Sequence, residues 1–463
     1  MKTDSIKQAV ELLFDIHNKI SQNLSDNMCQ EYIGGLLFLN IVSIQDAGKQ
    51  NSPKQEIWGG LFDRIEEQVT ARKEDKNYFG SLPLIVSQPE TGKKINELLI
   101  QAENENRNYI KRDGYKDIFS SIDYTLLQKE HLQILTEGIK KLGPILSSRQ
   151  ITGKIYSDYL TLCETENYTD PCNTYLPELF SGILKYESGH TLYDAKGKNG
   201  LLLLKCRNNE ENILYAQEND PILRLVSKLN MFFNEVKDHC IRNEHALKRP
   251  LLKSNRTLLK FDISVCICLS EKKSVLPSED KIYHRFERGL PPVRHIGWAY
   301  LSHLVSVTRK KGIGIIAMPT STFAAQGSCN HIRKNFIREK VIETVIFLPD
   351  NITVIIFRPG VSSNETLLLN VPEWSDISSI TDDYLQYRRN GTISQNNNYK
   401  IMEIEDWNNN NFNIHPAKLF REPFPDTRQE KNPDLLRKEI TLLEAELSHI
   451  RSQLEREIGK LMK

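Results

Sequence analysis

The chain is 463 residues long, enough for two or three domains and a substantial buried core. Its 61 Lys and Arg stand against 60 Asp and Glu, which excludes a histone-like polybasic binder but leaves room for a local basic groove. No apolar run reaches the roughly 18–20 residues of a membrane helix, the first five residues lead into an amphipathic stretch rather than a signal-peptide core, and the eight Cys include no C-x-x-C pair. Reduced core thiols in a cytoplasmic protein are expected, Cys266 and Cys268 among them, and no metal site.

Residues 1–148 carry helical periodicity. Val10, Leu13, Phe14, His17 and Ile20 share one face, and Tyr32, Leu36, Leu39 and Val42 form a second run. No strand-like alternation competes, so this region is predicted to be an all-helical domain. From 149 to 375 short apolar runs alternate with amphipathic stretches. Candidate strands are 191–193, 201–205, 213–215, 261–268, 314–318, 341–347, 353–357 and 366–369, with helices over 221–236 and 298–309. This alternation predicts an α/β domain with a doubly wound sheet, whose ligands bind at the carboxyl ends of the strands. Residues 376–432, rich in Asn, Ser, Asp and Pro, read as irregular linker. Over 433–463, Leu436, Ile440, Leu443, Leu447, Ile450 and Leu454 recur in steps of four and three, the seam of a coiled-coil helix opened by Pro433. So short a helix needs a partner, either another chain or the N-terminal helices.

The segment YAQENDPILRLVSKLN (215–230) resembles the M subunits of type I restriction-modification enzymes, DNA adenine-N6 methyltransferases of the N-6 DNA methylase family. Colinear pieces extend the resemblance over nearly the whole chain: EYIGGLLFLNIVS (31–43), YTDPCNTYLPELF (168–180), TLYDAKGKNGLLLL (191–204), GLPPVRHIGWAYLSHLVSVTRKKGIGIIAMPTSTF (289–323), IRKNFIREKVIETVIFLPDN (332–351) and IMEIEDWNNNNFNIHPAKLF (401–420). The resemblance implies a Rossmann-like class I methyltransferase sheet between an N-terminal helical domain and a C-terminal coiled-coil helix. It also implies S-adenosylmethionine as cofactor, with Glu218 on the ribose hydroxyls and Asp194, Gly197 and Gly200 in the glycine-rich turn.

Departures in the catalytic motif, in the cofactor motif and its entry, and in the loop after Asp350 mark this chain as degenerate. The family holds the flipped adenine with Asn or Asp, Pro-Pro and an aromatic ring; here those positions read Ile267, Cys268, Leu269 and Ser270. Ile267 offers no acceptor for the amine and Ser270 no ring to stack. Losing one oriented hydrogen bond at such a site costs about 2.7–4 kcal/mol of transition-state stabilisation, and here both groups are gone. The glycine-rich turn, Asp194-Ala195-Lys196-Gly197-Lys198-Asn199-Gly200, is one residue shorter than the family's, with Asn199 at a glycine position. Asp170 replaces Thr before Pro171, and Asp350-Asn351 runs directly into the next strand without the family's loop.

Two basic clusters, residues 242–256 and 309–311, and a third at 333–340 could face DNA. Arg249, Lys253, Lys310, Lys311, Arg333 and Lys334 are the candidate phosphate contacts. His284, His295, His331 and His415 show no metal-ligand spacing, and Cys268 and Ser270 have no base nearby in sequence. The expectation is a catalytically degenerate subunit that binds DNA and assembles with a specificity-like subunit, and with a second M-type or nuclease subunit, in a restriction-modification-like or phage-defence complex, with no cofactor unless the pocket is retained. The alternatives are an active adenine-N6 methyltransferase, alone or with a second M chain, and a module that senses S-adenosylmethionine without transferring methyl.

Overall fold

The computed structural model describes residues 2–47, 91–105, 118–143, 145–146, 148–167, 172–269, 282–361, 364–374, 377–393, 398–412 and 419–420. The heptad seam and Ser270 lie outside the described residues.

The apolar spacing near the start builds helix α1 (Lys2–Ile20), which buries Val10, Leu13, Ile16, His17 and Ile20. Helix α2 (Asp26–Ala47) buries Tyr32, Ile33, Leu36, Leu37, Phe38, Leu39 and Ile41, and so lies in the core on every side. Three more helices follow, α3 (Thr91–Glu105), α4 (Lys129–Leu142) and α5 (Arg149–Asn167), and then α6 (Cys172–Leu184). Gly34 lets α2 approach the α/β region closely: a Cβ there would stand 2.7 Å from Leu229 Cδ1 and 2.8 Å from the Tyr156 hydroxyl.

Among the described residues nine strands form the main sheet: β1 (Thr191–Asp194), β2 (Ile213–Glu218), β3 (His239–Asn243), β6 (Phe261–Ile267), β7 (Thr308–Pro319), β8 (Ile342–Leu348), β9 (Ile352–Phe357), β10 (Glu365–Asn370) and β11 (Tyr399–Glu403). A small hairpin, β4 (Lys253–Ser254) with β5 (Thr257–Leu258), sits in the connection between β3 and β6. The sheet runs β11-β10-β8-β9-β7-β6-β1-β2-β3. β3, β2, β1, β6 and β7 are parallel, and β9 is antiparallel between β7 and β8. The chain moves outward from β1 in one direction and returns to β6 on the other side. The crevice between the carboxyl ends of β1 and β6 is therefore the topological switch point. Asp194 and Ile267 stand at its two rims.

Helices α7 (Leu201–Cys206), α8 (Pro221–Phe233), α9 (Gly297–Val307), α10 (Thr320–Phe323) and α11 (Ser328–Arg338) connect these strands. The run 201–205, expected as a strand, is α7. A five-residue apolar run suits either state, and here left-handed Gly200 (φ 80°) turns the chain into a helix directly after β1. β3 and β11 lacked a readable pattern. The short loop at Asp350-Asn351 is a tight β8–β9 turn in which both residues take positive φ, 56° and 59°.

Residues 376–432 are not irregular throughout. Helix α12 (Ile377–Asn390) buries Ile380 and Tyr384, β11 adds an edge to the sheet, and a short helix α13 (Ile404–Asn409) follows. Arg388 bonds Glu343 at 2.9 Å and Arg358 bonds Glu343 at 2.6 Å, so ion pairing ties α12 to the sheet. The chain divides into units 1–414 and 415–463.

Candidate functional site at the switch point

β1 delivers Asp194 to the crevice, 2% exposed, where its Oδ1 accepts the Lys196 N–H at 2.9 Å. Burial pushes its carboxyl up to about 6. The chain then bends back over the end of β2, through Gly197 (φ 46°), Lys198 (φ 43°) and Gly200. A Cβ on Gly197 would lie 3.1 Å from Glu218 Cβ and 3.2 Å from the Gln217 carbonyl. Only glycine permits this approach.

Glu218, 6% exposed, meets the backbone of this turn. Its Oε2 accepts the Lys198 N–H at 2.8 Å and its Oε1 the Asp220 N–H at 2.9 Å. Burial is the leading cause that raises its pKa, which these two bonds oppose. Asp220 caps α8 through Oδ1, accepting from Ile222 N at 2.8 Å and Leu223 N at 3.2 Å. Its Oδ2 accepts from Asn27 Nδ2 of α2 at 3.2 Å, which ties the helical region to the site.

Asn199 locks the turn. Its Nδ2 donates to Glu164 Oε1 at 2.8 Å, its Oδ1 accepts from Leu201 N at 3.2 Å, and its carbonyl accepts from Asn230 Nδ2 at 3.1 Å. Asn230 is fully buried and its Oδ1 accepts from Ser157 and Asn234. Sequence inspection identified Asn199 only as a poor glycine; its role as a three-way anchor depends on α5 and α8, which are remote in the chain.

On the other rim, Ile267 is half-buried and followed by Cys268, 3% exposed, whose N–H is held by the Ala317 carbonyl at 2.8 Å. A cavity of about 120 Å³ lies between Ile267, Asp194, Lys198, Glu164 and Thr161. Glu218 does not line it, because the turn at 197–199 separates the two.

Two features bear on whether S-adenosylmethionine could be held here. The acid that would hold a ribose is covered by backbone. The remaining cavity is well below the roughly 300–1,000 Å³ of small-molecule sites. Among the described residues no group of His, Cys, Asp or Glu is arranged to hold a metal ion.

The basic candidates separate. Arg249 and Lys253 are exposed on the β3–β6 connection, where Gln217 Nε2 holds the Arg249 carbonyl at 3.0 Å. Lys310 and Lys311 are exposed at the amino end of β7, the opposite end of the sheet from Asp194 and Ile267. Arg333 corrects its expected role. It is fully buried, and its guanidinium donates to the carbonyls of Phe412 (2.6 Å), Phe323 and Ala325 (3.1 Å) and to Asn330 Oδ1 (3.0 Å). It cross-links the chain and does not face a phosphate. Lys334 is half-buried, its Nζ 5.4 Å over the Phe412 ring.

Two buried clusters escaped the sequence reading. His303 lies between the Tyr193 hydroxyl (2.8 Å) and Arg285 Nη1 (3.2 Å), and burial with the Arg285 charge keeps it neutral. Cys163 stands 3.6 Å from His17 Nδ1, with Asp26 3.3 Å from the other ring nitrogen. Burial pushes that thiol up to about 12, so it is no nucleophile.

A doubly wound sheet of this order, with acids at the ends of β1 and β2, defines a class I methyltransferase fold. Residues 150–362 match the family model described as N-6 DNA Methylase. The type I restriction enzyme MjaVII methylase subunit of Methanocaldococcus jannaschii is 25% identical over 249 residues, 50% of this chain. The match spans 42% of that relative's length. The methyltransferase subunit of a type I restriction-modification system from Streptococcus thermophilus superposes with a TM-score of 0.66 at 16% identity, over 88% of this chain and 98% of that one. A chain from a structural description of complex assembly and conformational transition in a type I system superposes with a TM-score of 0.55 at 15% identity, over 98% of both. Among the described residues no helix is long and apolar enough to cross a membrane.

Proposed function

We propose that this chain is a catalytically degenerate M-type subunit that binds DNA and serves as an assembly component of a restriction-modification-like or phage-defence complex. The observation that carries the reading is the Lys198 N–H on Glu218 at 2.8 Å: the shortened turn occupies the place of a cofactor's ribose. Ile267 supports it from the other rim, since a hydrocarbon side chain cannot accept the protons of an adenine amine. The intact sheet beside this closed site fits a scaffold retained without its chemistry.

The partners in this reading are a specificity-like subunit and a second M-type or nuclease subunit, engaged in part through the heptad seam at Leu436, Ile440, Leu443, Leu447, Ile450 and Leu454. The test is a methylation assay on the full chain with duplex DNA and S-adenosylmethionine. No N6-methyladenine is expected, and its formation by the pure protein overturns the reading. A chain ending near Pro433 should lose its partner in co-purification; undiminished partner binding removes the assembly role of the seam.

A second reading, an active enzyme completed by another M chain, draws support from the acids still standing at the ends of β1 and β2. Methyl transfer that appears only on mixing the two chains favours it.

A further inference from the structure

Residues 242–260, from the end of β3 to the start of β6, carry six cations, Arg242, Lys248, Arg249, Lys253, Arg256 and Lys260, and a single acid, Glu244. Of the six, Lys260 is held by the Ser306 carbonyl. Arg242, Lys248, Arg249, Lys253 and Arg256 are exposed, and no ion pair neutralises any of them among the described residues. Gln217 anchors the first part of this stretch. It is the register partner of Arg242 on β3, and its amide holds both the Arg249 carbonyl and the Leu251 N–H.

Arg224 is on the first turn of α8, and Asn243 at the end of β3 donates to the carbonyls of Glu218 and Asn219 just ahead of that helix. Arg224 is half-buried, its Nε is fully buried with no acceptor, and its pKa is lowered by burial and by the charge of Arg242. The nearby acid, Asp220, is turned toward the α8 N–H groups and Asn27. The charge of Arg242 thus acts on Arg224, whose Nε is desolvated, and no ion pair offsets either cation among the described residues. Such an arrangement is unfavourable in the free protein and is relieved by an anion that accepts from both.

We infer that Arg224 and Arg242 together grip one backbone phosphate of duplex DNA, with Lys248 and Arg249 extending the contact along the strand. A polyanion is favoured over a single small anion because the unpaired cations continue beyond the pair. The inference rests on the DNA-binding reading above and gives it a specific face of the molecule.

The test is fluorescence anisotropy of a short labelled duplex with the full chain across a salt series, comparing the parent with Arg224→Gln, Arg242→Gln, the double variant and the control Lys400→Gln, an exposed position on β11 at the opposite edge of the sheet from β3. The double Arg variant, which gives up the shared phosphate, should lower the slope of log affinity against log salt by about 0.9, roughly a fivefold loss near about 0.15 M salt, and each single variant by part of that, while the control matches the parent. Without DNA, the melting temperature of Arg224→Gln should hold or rise, because the substitution removes a repulsion. Parent-like DNA binding by both Arg variants overturns the inference, whether or not a protein partner is then lost. A drop in melting temperature with unchanged DNA affinity also overturns it and marks Arg224 as a structural cation. A parent that binds no DNA at any salt refutes the DNA-binding reading itself, and the inference with it.

Discussion

The backbone N–H of Lys198 donates to Glu218 Oε2 across 2.8 Å, joining the turn after β1 to the acid at the end of β2. A carboxylate at the tip of a parallel strand ordinarily offers its oxygens to a ligand in the crevice. Here the chain supplies the donors itself, one from Lys198 and one from Asp220.

Asp194 should limit stability at neutral pH. Its carboxyl is raised to about 6 from an ordinary 3.8, so the folded state holds this proton more tightly than the unfolded chain. The contribution is fully present below about pH 4 and is lost as pH rises through 6. Asp194→Asn should therefore stabilise the protein at pH 7, by at most about 3 kcal/mol, with the gain fading toward pH 4. Urea unfolding of both proteins across that range measures it; a pH-independent difference would show that Asp194 titrates normally.

Restoring a glycine should not reopen the site. Asn199→Gly removes the bonds to Glu164 and Leu201 and adds backbone freedom to the unfolded state, at an expected cost of about 1–3 kcal/mol. Calorimetric titration with S-adenosylmethionine should stay flat. Saturable heat from this variant would mean that the Asn side chain alone excluded the cofactor.

Ile267→Asn supplies the missing side-chain oxygen at the end of β6. Because the turn over Glu218 remains in place, incorporation of labelled methyl groups into DNA should remain at background. Activity gained from this single change would place the whole defect at Ile267.

Arg333→Met should destabilise the fold by about 3 kcal/mol or more, since three carbonyls and Asn330 lose a charged donor inside the protein. At a temperature where the variant stays folded, its DNA affinity should match the parent's. A loss of affinity without a loss of stability would return Arg333 to the DNA surface.

Much of the fold could be read from the sequence. The alternation of apolar runs marked seven of the nine strands of the main sheet to within a few residues, and helical spacing marked α1, α2, α8 and α9. The misses have physical causes. Residues 201–205 pack one face against the sheet, but a run that short suits helix and strand alike. α12 and β11 lie in an Asn- and Ser-rich stretch whose order comes from distant partners, Tyr384 in the core and Arg388 on Glu343.

By itself the sequence determined the chemistry absent at one position: Ile267 carries no oxygen in any fold. It also determined that the turn after Asp194 is short and rich in Lys and Asn. Tertiary structure alone decided what those residues do. Whether a cation meets solvent or a set of carbonyls depends on which elements pack around it, which is why Arg333 is buried while Arg242 is exposed beside Arg224. Hydrogen-bond donors and acceptors remote in the chain meet only when strands and helices fix their ends within 3 Å, and for that reason only the folded chain reveals Lys198 closing over Glu218.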